Sequence, residues 1–434
     1  MLYYSTKGTA PAVSLREAVL RGPAPDGGLY MPEELPRFDG SFISSLHGRS
    51  LVETAFDVAT AFLGSDIPPD VLEGIVGEAL DFPIPLTEVQ PATFSLELYH
   101  GPTMAFKDVG ARFMSRLMSF LYRNREKPLN VIVATSGDTG SAVASGFYGV
   151  DGINVVVLFP KGRVSRLQRL QITTLGGNIH PLEVEGNFDD CQRLARTILA
   201  DEELNGELTL TSANSINVGR LIPQCFYYFH AYAMLGKEPG EPVFSVPSGN
   251  FGNLTAGVMA RSAGLPVRKF IASVNINDVF PEFLASGQYR PAPSVPTYSS
   301  AMDVGDPSNF ARLDMLMGGQ AVNFRESVMS WSFTDEQTAD AIRRVANETG
   351  YIMDPHGAVA WLGLERYARE TGYEGPGVFL ETAHPAKFPE TMGEILGKYE
   401  YVPPQLRMPG TEETYARIPC DAGAVKEYLL GINR

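Results

Sequence analysis

Cysteine is scarce in this chain of 434 residues: Cys191, Cys225 and Cys420 share no short spacing. That excludes a disulfide framework or a thiolate zinc site as the organising principle, and it fits a reducing cytoplasm. Basic residues are also short. The 35 Lys and Arg stand against 50 Asp and Glu, a formal charge of −15, which excludes general affinity for nucleic acid or anionic membrane. A local cluster of donors can oppose that field, so an anionic small molecule stays open as a substrate. No run approaches the ~18 apolar residues of a membrane span. The opening MLYYSTKGTA lacks the basic-then-apolar order of a secretory signal. The histidines at 47, 100, 180, 230, 356 and 384 include no i, i+4 pair, so no metal is implied. Fixed-period repeats and low-complexity tracts are absent too.

What is present is an ordinary globular balance in a chain too long for one core, which predicts two or three domains. The first part is α-rich, with amphipathic stretches at 50–63 and 69–80, and the proline-rich segment 81–89 reads as a linker. From about Leu129 short β-branched runs alternate with helical ones: LNVIVA then SAVASGFYG, INVVVLF then SRLQRLQITTL, PVFSVPSG then NLTAGVMARSAG. Strand-then-helix units in series predict an α/β fold of open, mostly parallel twisted sheets with helices on both faces. Ligands in such sheets sit beyond the carboxyl ends of the strands. The expected divisions are a region 1–90 packing on the core, an α/β unit 91–240, and a larger α/β unit 241–434 with a C-terminal extension. Chain crossings between the units are expected.

Five segments follow apolar strands or stand near them. After VIVA comes Thr135-Ser136-Gly137-Asp138-Thr139-Gly140-Ser141, where unpaired amides at a helix start suit a carboxylate or phosphate. A self-capped helix start accounts for the same residues. After PVFSV comes Pro247-Ser248-Gly249-Asn250-Phe251-Gly252-Asn253, whose glycines let backbone wrap a phosphate. A third loop, Ser212–Arg220, offers polar donors and one guanidinium, as a dianion requires. A solvated Arg220 is the plainer account. Lys107, in HGPTMAFKD, gains Schiff-base or general-base chemistry if desolvated, yet residue chemistry alone does not single it out. Thr382, in ETAHPAKF, projects from a strand end towards the same crevice.

Together these motifs resemble the threonine synthases, of the tryptophan-synthase-β-like class of pyridoxal-phosphate enzymes. HGPTMAFKD resembles the family's lysine motif, ATSGDTG its substrate loop and SVPSGNFGN its cofactor-phosphate loop; TSANSINVGR and ETAHPAKF are also typical. The opening STKG and DGGLY resemble the extra N-terminal region of the longer form, so the likeness spans nearly the whole chain. It implies two pyridoxal-phosphate-enzyme domains plus an N-terminal region, with Lys107 holding the cofactor as a Schiff base and moving protons. By the same resemblance Gly249, Asn250, Phe251 and Asn253 hold the cofactor phosphate, and Thr382 meets the pyridine nitrogen. Ser136, Gly137, Asp138 and Thr139 take the substrate carboxylate, while Asn214, Ser215 and Arg220 grip its phosphate. Shorter relatives carry Asn where this chain has Asp138. A carboxylate there is expected to be protonated or turned away.

The implied reaction converts O-phospho-L-homoserine and water to L-threonine and phosphate. A phospho-lyase releasing 2-oxobutyrate would carry similar motifs. A threonine or serine dehydratase has no need of the Asn214, Ser215 and Arg220 grip, and a non-catalytic binding protein has no need of Lys107. Monomer and dimer are both open.

Overall fold

The structure is a computed structural model of the chain, and it describes residues 1–123, 125–406 and 412–433. Among them are fourteen strands: β1 Leu2–Ser5, β2 Val13–Ser14, β3 Tyr30–Pro32, β4 Leu86–Gln90 and β5 Thr93–Glu97 come first. Next are β6 Leu129–Ala134, β7 Ile153–Pro160, β8 Ile179–Glu185 and β9 Thr209–Ser212. The last are β10 Val243–Pro247, β11 Lys269–Val274, β12 Val328–Ser332, β13 Gly377–Glu381 and β14 Ala416–Pro419.

Two large sheets carry the fold, one in the order β12-β11-β10-β13-β5-β4 and one in the order β14-β8-β7-β6-β9. All their pairings are parallel except β4 with β5. Helices cover both faces, which is why the central strands are apolar throughout rather than alternating. All six residues of β6 are buried, as are seven of the eight in β7. The α/β class expected from the alternating runs is the one observed.

Two features differ from the sequence reading. Segment 81–89 is only partly a linker, because Leu86–Gln90 pairs as an edge strand of the six-stranded sheet. The N-terminal region is α-rich as expected, and β1, β2 and β3 add a small antiparallel sheet, built of strands too short to show a period. The chain end does not stay with the larger sheet. β14 pairs with β8, and the helix Ala422–Ile432 packs Val425 and Leu429 against Leu182, Val184 and Cys191. An exposed β8 edge would otherwise leave a row of unpaired backbone groups.

The helix Pro355–Thr371 lies across β10 and β11 and delivers its N-terminus to their carboxyl ends. It approaches closely because of Gly363: a Cβ there would stand 1.9 Å from Ser273 Oγ and 3.0 Å from Ser245 Oγ. Ser245 Oγ donates to the helix carbonyl of Ala360 at 2.6 Å. Gly363→Val should therefore destabilise the protein by about 1–3 kcal/mol through overpacking, read as a lowered urea midpoint with unchanged slope. An unaltered midpoint would show that this helix is free to lift away.

Candidate active site

The carboxyl ends of β6, β7, β9, β10 and β13 open on one cleft of about 880 Å³. Of the residues expected at the site, Lys107, Ser136, Asp138, Thr139, Asn214, Ser215, Arg220, Gly249, Asn250, Phe251, Asn253 and Thr382 all line it. Gly137 does not. Its φ of 144° belongs to glycine, and a Cβ there would meet Gln168 Oε1 at 2.3 Å.

Lys107 is the first residue of the helix Lys107–Tyr122. The turn before it is stitched to the end of β13: Phe106 N donates to Thr382 O at 2.8 Å, and Ala105 bridges Ala383. Lys107 and Thr382 thus line the same cleft, and the Thr382 hydroxyl meets no acceptor or donor among the described residues. The Lys107 side chain is only 16% exposed. Burial lowers its pKa, Asp138 opposes that effect, and Lys387 and Arg220 add to it.

Asp138 was expected to be protonated or turned away; it is not protonated, and it is turned onto a countercharge that the sequence did not reveal. Its Oδ1 lies 2.7 Å from Lys387 Nζ and accepts from Gln168 Nε2 at 2.9 Å, while Oδ2 stands 4.0 Å from Lys107 Nζ. Burial works against the charge, but Lys387 and then Lys107 outweigh it and hold the carboxyl below the usual carboxylate range. Lys387, with none of its side chain exposed, also donates to Thr103 O at 2.8 Å. It lay inside the ETAHPAKF motif, yet nothing in a lysine's spelling says that it is buried. The countercharge removes the repulsion.

The substrate-loop amides divide into two sets. Thr135 Oγ1 takes those of Gly137 and Gly140, at 2.9 and 2.8 Å. Those of Ser136, Asp138 and Thr139 meet no acceptor among the described residues, leaving three converging donors for an anion. Arg220 spends one Nη1 proton on Ala213 O at 2.7 Å, and its buried Nε is unpartnered. Burial brings its pKa down to about 10, still fully charged near neutrality. Asn214 serves differently from the expectation: its amide brackets the backbone of Ala134, donating to its carbonyl at 2.8 Å and accepting from its N–H at 3.2 Å. That ties β9 to the end of β6 and leaves at most one N–H for a ligand.

The loop 247–253 fits a phosphate. Phe251 takes a left-handed φ of 58° as the cap of the helix Gly252–Ser262. A Cβ on Gly249 would stand 2.7 Å from Met302 Cα, so only glycine passes there. Tyr227 and Tyr228 each donate to Asn253 Oδ1 at 2.7 Å, leaving buried Nδ2 without a partner. An orphaned donor, free first-turn amides and a desolvated lysine on one wall are what a phosphorylated carbonyl cofactor needs.

One further cleft residue, His356, and two buried carboxylates behind it escaped the sequence reading. His356 Nδ1 lies 2.5 Å from Asp354 Oδ1, and its Nε2 accepts from Ala301 N at 3.2 Å. Glu381 lies behind Asp354, where burial and the neighbouring carboxylate push its pKa well above the usual range. The signal was the Asp-Pro-His order at 354–356, a helix cap followed by proline at N1.

Three family models divide the chain between them: "Threonine synthase N terminus" matches 2–80, "Pyridoxal-phosphate dependent enzyme" 85–382, and "Threonine synthase, C-terminal" 357–429. Curated threonine synthases of Serratia marcescens and Escherichia coli are 41% and 40% identical, covering 99–100% of each chain. The chain belongs to the threonine synthase family. The solved E. coli threonine synthase superposes with a TM-score of 0.90 at 40% identity over 100% of both chains. A pyridoxal-phosphate-bound threonine synthase from Brucella melitensis gives 0.92 at 36% identity, again over 100% of both.

In this threonine synthase cleft two amines compete for one carboxylate, and that makes a signed test. Lys387→Met removes a positive neighbour and frees Asp138 for Lys107, so the Lys107 pKa should rise; Asp138→Asn should lower it. The pH dependence of Lys107 acylation in cofactor-free protein, followed by mass spectrometry, reads both. Shifts of the same sign would refute this charge arrangement.

Proposed function

We propose that the chain converts O-phospho-L-homoserine and water to L-threonine and phosphate. The observation that carries this is the pairing, in one cleft, of a desolvated Lys107 with two separate anion cradles. Pyridoxal phosphate, when bound, supplies an electron sink for the carbanion left when a proton leaves the carbon bearing the amine. Lys107 is assigned to hold it and to move that proton, because burial lowers its pKa and keeps a neutral amine accessible. The backbone of Gly249, Asn250 and Phe251, with Asn253, is assigned to its phosphate, and the unpartnered hydroxyl of Thr382 to its ring nitrogen.

The amides of Ser136, Asp138 and Thr139 would hold the substrate carboxylate, with Gly137 setting the turn. Asp138 would keep its own charge turned to Lys387 and off that carboxylate. Ser215 and Arg220 would meet the substrate phosphate, whose charge grows as it departs, so donors fixed in a dry site assist most at that moment. Asn214 would position this wall through Ala134. A dehydratase has no use for the second cradle, which favours the phosphorylated substrate. Among the described residues no helix is long and apolar enough to cross a membrane, and all three cysteines are free thiols; we place the enzyme in the cytoplasm.

Lys107→Ala should abolish turnover and the visible absorbance of the bound cofactor, with the fold retained by circular dichroism. Product analysis with O-phosphohomoserine decides the outcome: threonine is expected, and 2-oxobutyrate without threonine would identify a phospho-lyase instead. Arg220→Met should raise KM for O-phosphohomoserine about ten- to a hundredfold, the value of a hydrogen-bonded charge pair.

A further inference from the structure

The polar framework behind Ser215 admits one assignment of hydrogens. Arg312, with no exposed surface, donates from Nη1 to Asn309 Oδ1 at 2.7 Å. A guanidinium only donates, so that atom is the amide oxygen and Asn309 Nδ2 must donate. It does so to Asn250 O at 3.0 Å and to Ser215 Oγ at 3.3 Å. The backbone N–H of Ser308 likewise donates to Asn250 Oδ1 at 2.6 Å, which turns Asn250 Nδ2 onto Ser215 Oγ at 2.8 Å. Ser215 Oγ therefore accepts twice. A hydroxyl has two lone pairs and one proton, and that proton meets no acceptor among the described residues. Ser215 lines the cleft, and a Cβ on Gly252, at the head of the helix Gly252–Ser262, would lie 3.5 Å from Ser215 Cβ.

We propose that Arg312, acting through Asn309 and together with Asn250, holds Ser215 as an obligate hydrogen-bond donor to a phosphate-ester oxygen in the cleft. Arg312, Asn309 and Asn250 are then positioning residues, and the inference rests on the reading that Ser215 meets a phosphate. The rest of the guanidinium is spent on neutral acceptors: Ser215 O at 3.0 Å, Ile216 O at 2.7 Å, and Tyr30 O at 3.3 and 3.1 Å. All five N–H groups are used, so the side chain cannot turn without leaving a buried donor bare. Burial alone, with no carboxylate beside it, brings its pKa down to about 9, so the cation stays charged near neutrality and keeps donating. The phosphate ester is either the cofactor's or the substrate's, since Ser215 stands between the two cradles.

Ser215→Ala, Asn309→Asp, Asn250→Asp and the double variant S215A/N309D test this. Asp at 309 still accepts from Arg312 but offers no N–H, so the Ser215 proton turns back onto it. Two measurements separate the sources: the dissociation constant of pyridoxal 5′-phosphate on dilution of the holoenzyme, and inhibition of the holoenzyme by inorganic phosphate relative to homoserine. In one of these arms Ser215→Ala should weaken phosphate binding about ten- to a hundredfold. Asn309→Asp should give a comparable loss, and the double variant should be no worse than Ser215→Ala alone. Homoserine inhibition should change less than about threefold, which a merely loosened cleft would not preserve. If Ser215→Ala weakens one arm while Asn309→Asp and Asn250→Asp leave it intact, or if the losses add, the relay is overturned and the Ser215 reading survives. If Ser215→Ala changes neither arm, both fall. Asn250→Asp answers the same question should Asn309→Asp fail to fold.

Discussion

The site depends on the buried ion pair between Asp138 and Lys387. Asp138 stands just beyond β6 of the five-stranded sheet and Lys387 just beyond β13 of the six-stranded one, so their 2.7 Å contact closes the cleft from behind. Stripping one partner from such a pair costs about 3–5 kcal/mol, because a bare charge stays buried. The pair also fixes the charge state of its neighbour. Two amines face one carboxylate: Lys387 takes it at 2.7 Å and Lys107 stands off at 4.0 Å. Burial lowers the pKa of Lys107, and Asp138, committed at closer range to Lys387, only partly offsets that effect.

The opposite problem is set by the substrate side. A chain of net charge −15 must collect phosphorylated ligands. Screening confines most of that global field to about 8–10 Å, so the donors at the cleft decide. They are nearly all fixed: backbone amides at two helix starts, one guanidinium, and a serine hydroxyl whose direction is set from behind. Fixed donors cost no reorganisation when charge develops on a departing group. Flexible surface lysines would give attraction without that direction.

The sequence made the central strands legible because burial on both faces removes polar residues, leaving runs such as LNVIVA that few other environments tolerate. It also showed the Gly-bearing loops, since close backbone approach demands glycine at Gly249 and Gly137. Lys107 became legible only through resemblance to a family. β4 and β14 were hidden because edge strands are short and mixed in polarity. Lys387 and Arg312 were hidden for a deeper reason. A buried cation and an exposed one are spelled alike, and what buries them is the geometry of acceptors from distant segments: Thr103 O for Lys387, and Tyr30 O with Ile216 O for Arg312. The same blindness hid the countercharge of Asp138, whose partner lies 249 positions away along the chain.

The N-terminal region follows from this as part of the site rather than an appendage. Asn217, fully buried in the 212–220 loop, donates to Val19 O at 2.8 Å and to Ser212 O at 3.0 Å. Thr211 Oγ1 reaches the same Val19 carbonyl at 3.4 Å, and Arg312 closes on Tyr30 O. Each of these donors is buried, and a buried donor without an acceptor costs about 1–3 kcal/mol. The loop that carries Ser215 and Arg220 can hold this conformation only while residues 19–30 supply those carbonyls. Under the assignment proposed for Ser215 and Arg220, the first thirty residues would act on phosphate recognition by being the acceptors that the site's supporting side chains cannot do without.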